Sequence, residues 1–204
     1  MSIVPAVWAI SGLPAHPLLV HGATVLVMLA AIAAIVLMLW NAAWRRKFAG
    51  PLAVISLALL VLTQLTVITG EQLVDYTGEE EEMHDHAEAG EMTRNLLILM
   101  TLGLAAVAFV DRKEGAAAAA AGVRAGSGAA TSDRRSLLSS ALRLGTGVVA
   151  LATVGYDIKA GHSGAYAVWH EELAGGASES DEAGESEGAG EAGEGAEATK
   201  EGGS

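Results

Sequence analysis

Residues 18–40 run for 23 positions without a charged side chain, and no other feature of the sequence restricts the fold so severely. As a helix the run is roughly 35 Å long at about 1.5 Å per residue. That length crosses a hydrocarbon core of about 30 Å with some tilt. Three further apolar runs follow, at 51–68, where Pro51 suits a first helical position, and at 93–110 and 137–158. Lipid offers no partner for backbone N–H and C=O groups, so each run must satisfy them internally, as a helix. Strands of a membrane barrel would alternate apolar and polar residues over about ten positions, and these runs do not. Buried helices of a soluble protein would carry polar faces, which these segments lack. The expected fold is all-α: a four-helix transmembrane bundle within residues 1–170, a flexible connection at 111–136 and a disordered acidic tail at 171–204.

Charge supplies the topology. The 204-residue chain is 51% hydrophobic and yet carries a net charge of −12, which requires apolar and acidic residues to sit in separate blocks. Eleven acidic residues against Lys200 fall in 171–204, where Leu173 is the only large aliphatic side chain. Such a segment buries too little apolar surface to offset its ordering entropy, so disorder is expected there. Eight of the twelve basic residues lie in the segments joining spans one to two and three to four: Arg45, Arg46, Lys47, Arg112, Lys113, Arg124, Arg134 and Arg135. By the positive-inside rule both termini face away from the cytoplasm. No Lys or Arg precedes the first run and Pro14 and Pro17 interrupt its approach, so it reads as a retained span rather than a signal peptide. The acidity argues against nucleic acid as a partner, and the lack of cysteine excludes thiolate sites and disulfides.

All six histidines fall on the outward side: His16, His21, His84, His86, His162 and His170. His16 precedes Pro17, which suits a first helical turn, and His21 lies about one turn further in. Span two ends near Gly70 and Glu71, span three is entered through His84 and His86, and span four leaves through Gly161, His162 and Gly164. Ionisable groups near membrane depth are costly unless partnered, which makes them functional candidates. Neutral imidazole ligates haem iron and divalent metals alike, and a helical bundle can hold such ligands on facing helices. His21 and His162 are the first expected ligands and His86 the third, with His16 and Glu71 as orienting neighbours. On a helix His84 and His86 would point to opposite faces, so they could chelate together only from an extended segment.

Other chemistries find little footing. A GxxxxGK[ST] phosphate loop is absent. Ser163 lacks the strand-to-helix setting of a nucleophile elbow. No ionisable residue sits at the centre of a span, which argues against a pump or channel. Gly103, Gly145 and Gly147 permit close helix approach. Trp8, Trp40, Trp44 and Trp169 flank the spans as an aromatic belt would.

The opening Leu13-Pro14-Ala15-His16-Pro17-Leu18-Leu19-Val20-His21-Gly22, the close Gly161-His162-Ser163-Gly164-Ala165 with Trp169, and His86-Ala87-Glu88-Ala89-Gly90 between them form a set. Together they resemble a bacterial domain-of-unknown-function family of four-span membrane proteins with an HPxxxH opening and a GHxGA close. The resemblance covers residues 13–170; the acidic insertion at 79–82 and the long tail depart from it. It implies a multi-pass protein of the bacterial plasma membrane, with a b-type haem or another redox role suggested by the histidines. The leading expectation is therefore a haem b or metal site at the outer face, serving electron transfer or a redox accessory role. The alternative is a non-catalytic structural or assembly subunit, meeting other membrane subunits or a second copy in the lipid bilayer. A third is a divalent-metal binder built from His84, His86 and nearby carboxylates.

Overall fold

The computed structural model describes residues 9–10, 13–77, 80–121 and 129–188, with side chains for 9, 14–75, 83–120, 137–166 and 169. Four helices follow a two-residue antiparallel pair, β1 (Ala9–Ile10) with β2 (Leu13–Pro14): α1 (Ala15–Leu39), α2 (Ala42–Thr77), α3 (Glu80–Ala121) and α4 (Ala129–Gly188). Each contains a stretch long and apolar enough to cross a membrane. The chain forms two units, Met1–Gly164 and Ala165–Ser204. The bundle belongs to the first. The second is helical backbone as far as Gly188, so the acidic segment begins on this backbone; 189–204 lie outside the described residues.

The interior is written in sevens. His16, Ala23, Ala30 and Leu37 lie on one seam of α1, Ala49, Ser56, Thr63 and Gly70 on α2, and His86, Thr93, Met100 and Val107 on α3. On α4 the seam is Arg143, Ala150, Asp157 and Gly164. A seven-residue repeat keeps one stripe of each helix facing its neighbours, the geometry of left-handed bundles. Val27, Leu59, Leu97, Met100 and Leu104 are buried in the middle layer beside Ala30, Ala31 and Ala34. Small residues at these contacts let the helices approach, while Val25, Leu57, Leu102 and Leu151 stay outside, where lipid is as apolar as they are. Buried threonines satisfy their hydroxyls locally: Thr63 donates to Leu59 O, Thr101 to Leu97 O and Thr153 to Val149 O, at 2.7–2.9 Å.

Two expectations need correcting. Pro51 is not the first residue of its helix. α2 starts at Ala42, because Asn41 Oδ1 accepts the N–H groups of Ala43 and Trp44 at 3.1 and 3.2 Å and so caps it nine residues earlier. The connection expected to be flexible at 111–136 is also helical at both its ends, 122–128 lying outside the described residues. α3 continues to Ala121 through an alanine run, the residue type of highest helix propensity, and α4 resumes at Ala129.

At one end of the bundle, three helices are joined by charge. Asp111 of α3 is buried and accepts Arg45 Nε of α2 at 3.1 Å and Arg143 Nη2 of α4 at 2.6 Å. Arg143 also reaches Glu114 at 3.1 Å, and Arg45 donates to Trp40 O. Both carboxylate oxygens of Asp111 are thus engaged, which buried charge requires. We call this the basic end and the other the histidine end.

Candidate metal centre

At the histidine end the first turn of α1 turns His16 inward against α2. Its Nδ1 donates to Thr66 O at 2.9 Å. Across the bundle, α3 presents His86 toward α4, and His86 Nδ1 donates to Ala160 O, also at 2.9 Å. The two imidazoles meet, with ring centres 6.2 Å apart and planes at 86°. A carbonyl can only accept, so in the neutral ring Nδ1 carries the proton and Nε2 keeps its lone pair. That arrangement, one nitrogen anchored to a main-chain carbonyl and the other without a hydrogen-bond partner among the described residues, is the usual posture of a metal-ligating histidine.

Two glycines make room. A Cβ on Gly70 would stand 2.7 Å from His16 Cε1, and one on Gly164 would stand 2.8 Å from His86 Nδ1. Each imidazole therefore lies directly on the backbone of the helix it bonds. Asp157 lies three residues before Ala160 on α4; it is buried, and its Oδ2 has no hydrogen-bond partner among the described residues.

The other expected residues stand elsewhere. His21 is exposed, its Nδ1 bonded at 2.6 Å to Pro17 O on its own helix. His162 and Glu71 are exposed as well. The structure therefore brings together His16 and His86, one expected as an orienting neighbour and the other as third ligand, rather than His21 and His162. His84 and His86 diverge on helical backbone: His84 sits outside with Asp85 and Glu88, their ligating atoms within 4.8 Å of one another and all three residues exposed. The side chain of His170 lies outside the described residues. The seven-residue register was the overlooked signal. His16 lies seven residues before buried Ala23, and His86 seven before buried Thr93, whereas His21 and His162 fall two residues off their seams.

Comparison of the chain with family models, curated proteins and solved structures gives no match.

Proposed function

We propose that this four-helix membrane protein holds a metal centre, a b-type haem or a divalent ion, between His16 and His86, and that it serves electron transfer. The observation that carries this reading is the meeting of two inward imidazoles from different helices, each with Nδ1 committed and Nε2 available. The donor set fits. Neutral imidazole is a donor to haem iron and to divalent ions alike, so His16 and His86 would be the residues that hold either group. Their ring centres stand 6.2 Å apart. The carbonyls of Thr66 and Ala160 hold the rings in orientation, and the surrounding helices limit water. A haem held there would supply one-electron chemistry, and the hydrogen bonds of His16 and His86 would tune its potential. Asp157, about one turn deeper on α4, is a group able to hold a proton there. By the distribution of basic residues, this end faces outward from a bacterial plasma membrane.

A second reading has its own support. The His16–Thr66 and His86–Ala160 bonds tie α1 to α2 and α3 to α4 without any cofactor, as a structural subunit of a membrane complex would need. One experiment separates the two readings. The full-length protein is purified in detergent, its oxidised and reduced visible spectra are recorded, and its metal content is measured. The metal-centre reading expects a Soret band or a stoichiometric metal, lost in both His16→Ala and His86→Ala and kept in His21→Ala and His162→Ala. A colourless, metal-free protein, destabilised by the first two variants alone, establishes the structural reading instead.

A further inference from the structure

At the basic end, away from the histidines, α1 and α2 enclose a groove of about 410 Å³ with apolar walls. Val36 of α1 and Trp40, just past its end, line it together with Trp44, Phe48, Pro51 and Ile55 of α2. The aromatic rings are ordered against one another. Trp44 stacks on Phe48 with ring centres 5.0 Å apart and meets Trp40 edge-on at 6.2 Å.

On the stretches of the two helices that line the groove the charge is of one sign. Residues 15–70 contain no Asp or Glu. Of the three consecutive cations that follow Trp44, Arg45 is engaged by Asp111. Arg46 and Lys47 are exposed and form no salt bridge among the described residues. Lys47 Nζ stands 5.1 Å from the centre of the Phe48 ring, which is itself a wall of the groove.

An apolar slot with an unneutralised ammonium at its mouth has the two-part chemistry of an anionic phospholipid: the slot suits an acyl chain, the cation a phosphate. Basic pockets between membrane helices recognise anionic headgroups in this way. A symmetric second copy seated in the groove would bring Lys47 and Arg46 toward their own counterparts, so like charge disfavours it. We propose that this groove is a binding site for an anionic phospholipid, with its acyl chain along Trp40, Trp44 and Phe48 and its phosphate at Lys47, within the field of Arg46.

The tryptophans in the walls supply the readout. The full-length protein is reconstituted into bilayers containing either brominated phosphatidylglycerol or brominated phosphatidylcholine at equal mole fraction, and quenching of tryptophan fluorescence is compared. The anionic lipid should quench more strongly. Lys47→Gln should weaken its relative affinity about five-fold, the worth of one basic residue near an anionic headgroup. Trp40→Phe with Trp44→Phe should abolish the excess quenching, assigning it to the groove rather than to Trp8 or Trp169. Equal quenching by both lipids overturns the proposal, as does an excess that Lys47→Gln leaves undiminished or that survives loss of both tryptophans. So does protection of Trp40 and Trp44 from both lipids, the pattern expected if a second copy fills the groove.

Discussion

At the basic end Asp111 commits both carboxylate oxygens to arginines from two other helices, whereas at the histidine end each inward imidazole commits one nitrogen of two. The first end is closed chemically. Its charges cancel across α2, α3 and α4, and each carboxylate oxygen of Asp111 already accepts from an arginine. The second end is held by neutral hydrogen bonds to main-chain carbonyls and retains unused lone pairs. In a membrane this contrast sorts structure from function, since buried charge must be paired to be tolerated while a spare imidazole nitrogen can hold a metal.

The largest effect should come from breaking the closed end. Asp111→Ala takes from Arg45 its carboxylate and leaves Arg143 with Glu114 alone, and should cost about 3–5 kcal/mol, measured as a drop in unfolding stability in detergent. If that variant is as stable as the parent, the ion cluster does not hold the basic end. Replacing all three residues with apolar side chains of similar volume should cost far less than the single change.

At the histidine end the next effect is steric. Gly164→Val forces a side chain toward His86, where even a Cβ would lie 2.8 Å from Nδ1. Overpacking of this kind costs about 1–3 kcal/mol; the displaced imidazole should also reduce bound haem or metal. Thermal melting and metal content read the two consequences separately. A variant with unchanged melting and full occupancy would show that the two helices are further apart than described here.

Smaller again is His86→Phe, which removes the bond to Ala160 O but keeps a ring in place. Interhelical hydrogen bonds in membranes average about 0.6 kcal/mol and reach about 1.7, so stability should fall by no more than that while any Soret band is lost. A fall as large as that of Asp111→Ala would erase the distinction between the two ends. Smallest is Thr153→Val. Among the described residues its hydroxyl donates to Val149 O on its own helix, and the change should move stability by about 0.5 kcal/mol, the lower end of a hydrogen bond's net worth.

Much of this architecture was legible in the chain. Uncharged runs in lipid can only be helices, and four of them make a bundle. The site was less legible, because hydropathy reports depth but not direction. His16 and His21 sit at similar depth, and only the seven-residue register shows that His16 shares a face with Ala23 and Ala30 while His21 does not. The same register carries Leu97 and Leu104 to Asp111, and Ala150 back to Arg143, so the ion cluster was open to the same inference. Asp111 is masked in sequence by the basic residues beside it, which give it the look of an ordinary solvated carboxylate. The true start of α2 was hidden for another reason: Pro51 is a strong helix-start signal, yet Asn41 supplies an earlier cap.

The account turns on how His16 and His86 use their ring nitrogens, and ¹⁵N NMR of the histidine-labelled protein, free of haem and metal, reads that directly. His16 and His86 should both show a protonated Nδ1 and an unprotonated Nε2, unlike exposed His84 and His162, whose tautomers exchange in water. Finding the Nε2-protonated tautomer at either position, or rapid exchange at both, would remove the paired lone pairs and contradict the proposed metal centre.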